Sequence, residues 1–148
     1  MILMPKVIHF IWIGPNECPY KENIQTYQQH NPDWKIKIWD NVNLPKIYNK
    51  RVYGIMNSWA GKSDVLRLEI LYNHGGFYVD TDSHCIRPLD KMLDNLVCFG
   101  MQGHTGKVNN CALGCVPKHP AMKRLVYELD GHVKRLAKTK LNQKKGIH

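Results

Sequence analysis

No stretch of this 148-residue chain approaches the about 20 consecutive apolar residues that a membrane-crossing helix needs. The opening Met1-Ile2-Leu3-Met4-Pro5-Lys6 lacks the basic head and long apolar centre of a secretory signal. There are five cysteines, an odd number, so complete disulfide pairing within the chain is excluded. With no secretory signal, that number suits free thiols in a reducing compartment, and a cytoplasmic protein is expected. Cys111 and Cys115 have half the spacing of a zinc site, but no second pair matches them. There is no internal repeat, and the only low-complexity tract is the lysine-rich end. Acids are scarce, 12 against 21 Lys and Arg, giving +9 overall. The excess is local. Residues 118 to 148 hold nine basic residues against Glu128 and Asp130, a net +7. A basic end of this kind meets anionic polymers or acidic membrane surfaces, or is simply a solvated helix face.

What is present reads as one globular domain with 43% hydrophobic residues, enough to bury a core. Residues 5 to 13 are almost continuously apolar and β-branched between Pro5 and Gly14-Pro15, the pattern of a parallel strand covered on both faces. Residues 20 to 30 read as a helix with Tyr20, Ile24 and Tyr27 on one stripe. Trp34 to Trp39 alternates as a half-covered strand, completing a β-α-β opening of Rossmann type. Residues 44 to 57 read as a helical piece followed by a loop. Ser58 caps a helix that runs to Asn73 or His74 and leaves through Gly75-Gly76. A strand at 77 to 81, a short helix at 89 to 95, and strands at 96 to 101 and 110 to 116 follow. His119-Pro120 opens an amphipathic helix with Met122, Leu125, Val126, Leu129, Val133 and Leu136 on its apolar side.

Asp80-Thr81-Asp82 places two carboxylates at i and i+2, which share a side if the segment is extended. Hard oxygen ligands of this kind suit Mg²⁺ or Mn²⁺, whose shells phosphate oxygens complete. Leu71, Tyr72, Phe77, Tyr78 and Val79 make the approach apolar, so the acids emerge from a buried element. Asp64 and Arg67, three apart on a helix, share a face.

The run Ala60, Ser63, Asp64, Arg67, Leu71, Tyr72, Gly75, Gly76, Tyr78, Asp80 and Asp82 resembles the Asp-x-Asp sugar-nucleotide glycosyltransferases, above all family 32. The first strand, Pro5 to Gly14, is similar to that family's, and the glucosylating toxins of clostridia carry a like Phe-x-Trp-Ile-Gly segment. The resemblance spans roughly residues 4 to 120. It implies an α/β, GT-A-like, Rossmann-type nucleotide-sugar-binding domain with a mainly parallel mixed sheet, at residues 1 to 136, and a basic tail at 137 to 148. The family's carboxyl-terminal part is expected to be missing.

The activity implied is transfer of a hexose from a nucleotide-sugar, a UDP-sugar favoured, to a hydroxyl of a glycan, lipid-linked or protein acceptor. It would depend on Mn²⁺ or Mg²⁺ and retain anomeric configuration. Asp82 is implied to bind the metal directly, with Asp80 between metal, ribose and sugar. Asp64 is implied to face the sugar hydroxyls and Arg67 the donor. Ser63 belongs to the donor pattern, Trp12 stacks on the base or packs in the core, and Tyr78 is buried filler or a hydroxyl aimed at the donor. His9 and His74 read as structural, whereas His104, Asn109 and Asn110 lie where an acceptor or sugar would approach. A homo-oligomer or partner is expected to complete the site. Two rival classes are a non-catalytic nucleotide-sugar-binding module and a nucleic-acid binder using the basic end. The latter lacks interleaved aromatics and any recognised binding motif.

Overall fold

The computed structural model describes residues 3 to 144; the side chains of His104 and of residues 142 to 144 lie outside the described part. Five strands form one sheet in the order β2-β1-β3-β5-β4. These are β1 (Val7–Ile11), β2 (Lys35–Trp39), β3 (Gly76–Val79), β4 (Val97–Gln102) and β5 (Lys107–Cys115). β1 pairs in parallel with β2 and β3, while β5 is antiparallel to both β3 and β4. Four strands therefore run one way and β5 alone runs the other, the mainly parallel mixed sheet expected of the sequence.

Both faces of the sheet are covered. Helix α1 (Lys21–His30) lies on one face, where Ile24 and Tyr27 join Ile8, Phe10, Phe77 and Val79 in the core. The other face carries α3 (Trp59–His74) and α4 (Pro120–Lys144), through Leu66, Ile70, Leu71 and Met122 against Ile11, Tyr78 and Leu113. The strand period of two explains the division: Phe77 and Val79 face α1, and Tyr78 faces α3.

Each end of α3 has its own stop signal. The Ser58 side chain accepts a hydrogen bond from the Gly61 N–H, a standard N-cap. Gly75 and Gly76 leave the helix with φ of +65° and +91°. A β-carbon on Gly75 would lie 2.6 Å from Pro117 Cδ, and one on Gly76 2.6 Å from the Val7 carbonyl, so only glycine fits this exit.

Several boundaries differ from the sequence reading. Residues 44 to 57 reverse the expected order: a loop comes first and the helix α2 (Lys50–Ile55) second. The cause is Glu69, fully buried on α3, whose carboxylate accepts from the backbone N–H groups of Tyr48 and Asn49 and from the Asn49 amide. Those backbone donors are thereby engaged outside any helix. The short helix at 89 to 95 is a single 3₁₀ turn over Asp90–Met92. β5 begins three residues earlier than expected, joined to β4 through a 3₁₀ turn at Gly103–Thr105. The chain has no break at residue 136, because α4 continues to Lys144; residues 145 to 148 of the expected tail lie outside the described residues.

Candidate active site

β1 and β3 end side by side, and the residues that follow them form a cleft of about 490 Å³ with the first turns of α3. Its lining includes Trp12, Ser63, Arg67, Tyr78, Asp80 and Asp82. Asp64 joins through its ion pair with Arg67. All seven residues expected at the site are therefore brought together.

Arg67 organises the floor. Its side chain is only 6% exposed, yet it carries a full charge, so its partners must be close. Nη2 lies 3.0 Å from Asp64 Oδ1 and Nη1 lies 3.2 Å from Asp80 Oδ1. Nη1 also donates to the Asn110 carbonyl at 2.6 Å, and the guanidinium sits 4.4 Å from the centre of the Tyr78 ring. The Asn110 side chain in turn donates to Asp64 Oδ1 at 2.9 Å. Asn110 thus closes a circuit linking α3, β3 and β5. A lone asparagine gave little sequence signal for this role, which depends on strand β5 folding back beside β3.

The Tyr78 hydroxyl donates to Asp80 Oδ1 at 2.6 Å. Burial, with the Asp80 carboxylate beside it, pushes the phenol well above its ordinary range against the pull of Arg67. Tyr78 therefore stays protonated and keeps donating. Its hydroxyl is held by Asp80 in this structure.

The two acids share the cleft for a reason other than strand alternation. β3 ends at Val79, and Asp80 to Ser83 form a turn closed by the Ser83 N–H on the Asp80 carbonyl at 3.2 Å. Asp80 stays anchored to β5 through its N–H on the Cys111 carbonyl. Asp82, exposed at the turn's tip, lies where the strand is no longer extended. The turn is fixed from behind by α1. Tyr27 and Ser83 share a hydrogen bond of 2.8 Å, the Cys85 N–H donates to Thr26 Oγ1, and the Leu89 N–H donates to Asn31 Oδ1.

The donor set fits a divalent cation in part. Arg67 pairs with two carboxylates, Asp64 and Asp80, and Asp82 adds a third to the same cleft, a set of acids that a 2+ ion would balance. Asp80 has one oxygen committed to Arg67 and Tyr78. No group of three or more His, Cys, Asp or Glu suited to a metal occurs among the described residues. The protein supplies carboxylate oxygens and leaves most of a shell to other ligands, the usual arrangement for Mg²⁺ or Mn²⁺ with phosphates.

The apolar wall comes from β1 and the start of α3. Trp12 is half-buried, its indole N–H donates to the Asn16 carbonyl, and Tyr20 meets it edge-on at 5.8 Å. Trp59, half-exposed at the mouth, packs over Gly14, whose φ is +124°. A β-carbon there would meet the Trp59 ring at 3.2 Å. Tyr20, read in the sequence as part of a helical core stripe, lines the cleft instead, and Trp59 carried no signal, because an aromatic residue at a helix start has no distinguishing pattern.

The other candidates sort clearly. His9 is 2% exposed, donates through Nε2 to the Gly75 carbonyl and accepts at Nδ1 from the Trp39 indole. Burial lowers its pKa to about 4, so it is a neutral structural residue. His74 sits beside it at the opposite end of α3 from the cleft. Asn109 caps the Cys111 N–H. The five cysteines are free thiols, and burial pushes Cys111 upward and Cys115 to about 12.

Residues 19 to 97 match the family described as "Glycosyltransferase sugar-binding region containing DXD motif". The chain belongs to this family. The matched span holds Asp64, Arg67, Tyr78, Asp80 and Asp82, whereas Trp12 lies before it. Among curated proteins, "Inositol phosphoceramide mannosyltransferase 1" of Schizosaccharomyces pombe is 24% identical over 136 residues, covering 85% of this chain and 43% of that protein. "Mannosyl phosphorylinositol ceramide synthase SUR1" of Saccharomyces cerevisiae is 28% identical over 126 residues, covering 80% of this chain and 32% of that protein. The chain thus spans less than half the length of these relatives. Among solved structures, "PaToxG Glycosyltransferase" shares the fold, with a TM-score of 0.71 at 18% identity over 90% of this chain and 63% of that one.

Proposed function

We propose that this DXD-family domain binds a nucleotide-sugar in the Trp12–Asp82 cleft and transfers its hexose to an acceptor hydroxyl. The observation that carries this reading is the buried Arg67, which grips Asp64 and Asp80 on the floor of the same cleft that Asp82 lines. Asp64 presents a half-exposed carboxylate to the sugar hydroxyls, fixed by Arg67 and Asn110. Trp12 offers an aromatic face to the base, for which a UDP-sugar remains the favoured donor. Mannose is the sugar suggested by the relatives' names, and a phosphoinositol ceramide is one lipid acceptor they suggest.

Asp80 and Asp82 would hold Mn²⁺ or Mg²⁺, which when bound supplies charge stabilisation to the departing diphosphate. In the transfer, the bond from the anomeric carbon to the diphosphate oxygen breaks. A bond to the acceptor oxygen forms as its hydroxyl gives up a proton. Asp64, the carboxylate assigned to the sugar hydroxyls, is tied to Arg67 and Asn110, which favours a front-face, retaining course over a covalent glycosyl intermediate. Free thiols favour a cytoplasmic setting, and no described helix is long and apolar enough to cross a membrane. A second subunit or further chain completing the acceptor side is part of the reading. Without it, donor binding outlasts efficient transfer.

Thermal shift and calorimetry with UDP- and GDP-sugars, with and without Mn²⁺, test the donor. A ligand at 100 times its Kd stabilises by about 2.7 kcal/mol. No stabilisation by any of them overturns the donor reading. Asp82→Asn is expected to abolish Mn²⁺-dependent affinity with an unchanged melt, and unchanged affinity would refute the metal assignment. Metal-dependent hydrolysis of the donor separates an enzyme from a mere binder.

A further inference from the structure

Helix α4 plays no part in the cleft, and its chemistry is distinct. Leu125, Leu129 and Leu136, at i, i+4 and i+11, fall on one helical face. Leu125 and Leu136 are 42% and 49% exposed. Leu125 and Leu129 meet Phe99, itself exposed on the edge strand β4, across an apolar groove of about 500 Å³ that the Arg124–Glu128 pair, His132 and Arg135 also line.

Charge accompanies the leucines. After Asp130 the helix carries Lys134, Arg135, Lys138, Lys140 and Lys144 and no acid. Lys134 pairs with Asp130, and Arg124 earlier on the helix pairs with Glu128. Arg135, Lys138 and Lys140 have no ion-pair partner among the described residues. From Lys134 to Leu141 every residue is exposed, so about two turns of helix stand clear of the body, with Lys140 beside the leucine stripe and Arg135 on its flank.

We propose that this face docks the protein on an anionic lipid bilayer. Each rival occupant satisfies only half of the surface. A second copy would bring the same unpaired cations against this one, and like charges repel. A nucleic acid would satisfy the lysines but leave Leu125, Leu136 and Phe99 against phosphate. An acidic bilayer surface takes both, with leucines entering the acyl boundary while lysine stems snorkel to the headgroups. The inference goes beyond sugar transfer and stands without it.

Vesicle co-sedimentation of the whole chain tests it, without any sugar nucleotide. Phosphatidylcholine vesicles are compared with vesicles in which about a third of the lipid is phosphatidylserine, across a salt series. Binding is expected only to the acidic vesicles and falls with salt. Arg135→Ala with Lys140→Ala lowers the partition coefficient roughly 30-fold, from about 1 kcal/mol per cation. Leu136→Ser lowers it about tenfold or more. Both variants change exposed positions, and a melt matching the parent confirms that the fold is kept. Equal binding to neutral vesicles, or no effect of either variant, overturns the proposal. So does capture by duplex DNA without vesicle binding, or a concentration-dependent dimer that ignores lipid.

Discussion

His9 makes the stability of this domain fall as the solution is acidified, by an amount the structure sets. Its ring is neutral in the fold because it is buried and joins the Trp39 indole to the Gly75 carbonyl. The pKa drops from 6.5 to about 4. Between those values the unfolded chain binds a proton that the folded chain refuses. Stability is therefore fully present above about pH 6.5 and declines as pH falls towards 4. At 1.36 kcal/mol per unit the whole effect is about 3 kcal/mol, and about 2 kcal/mol of it is lost on going from pH 7.5 to 5. Burial lowers His74 in the same direction, with Lys118 and Lys37 adding to it, and so steepens the decline. Urea unfolding followed by tryptophan fluorescence at a series of pH values measures it, since Trp39 is the hydrogen-bond donor to His9. His9→Gln is expected to be less stable at neutral pH but to show a much shallower decline down to pH 5. A flat midpoint in the parent, or an undiminished slope in His9→Gln, would refute the reasoning.

Trp12→Ala is expected to weaken UDP by roughly 1–3 kcal/mol in calorimetry, the scale of one lost base stack, while leaving the melt nearly unchanged. Unfolding, or normal UDP affinity, would instead make Trp12 a core residue. Arg67→Met leaves Asp64 and Asp80 facing each other without their common cation, and is expected to cost about 3–5 kcal/mol of stability and to abolish donor binding. Glu69→Gln keeps one oxygen to accept from Asn49 but turns its amide N–H₂ towards the Tyr48 N–H; a loss of about 1–3 kcal/mol in urea, with donor affinity kept, checks its purely structural role.

The sheet and the floor of the site were legible because their signals are local. The apolar run at 5 to 13, the Ser58 cap and the Gly75-Gly76 exit each fix a boundary through backbone chemistry. The spaced pattern from Ala60 to Asp82 brings Ser63, Asp64, Arg67, Tyr78, Asp80 and Asp82 to one cleft because a helix, a glycine exit and a short strand convert that spacing into one geometry. What escaped depends on partners distant in sequence. The loop at 44 to 49 obeys Glu69, some 20 residues away. Asn110 was singled out as a polar residue near the sugar, but its grip on Arg67 and Asp64 acts through a strand that reverses beside β3. The stretch from Ala137 to Lys144 is mostly Ala, Lys, Leu and Gln, good helix formers, yet its composition suggested a tail rather than a continuation of α4.

The three hydrogen bonds from α1 to the segment behind Asp82 have a thermodynamic consequence. A loop free in the empty protein would have to be ordered when ligand arrived, and that entropy would be subtracted from affinity. Here Tyr27, Thr26 and Asn31 have already fixed the loop during folding. The acidic turn is preorganised by a helix on the far side of the sheet. Loosening that end of the helix would surface as weaker ligand affinity at a site that Thr26, Tyr27 and Asn31 do not line.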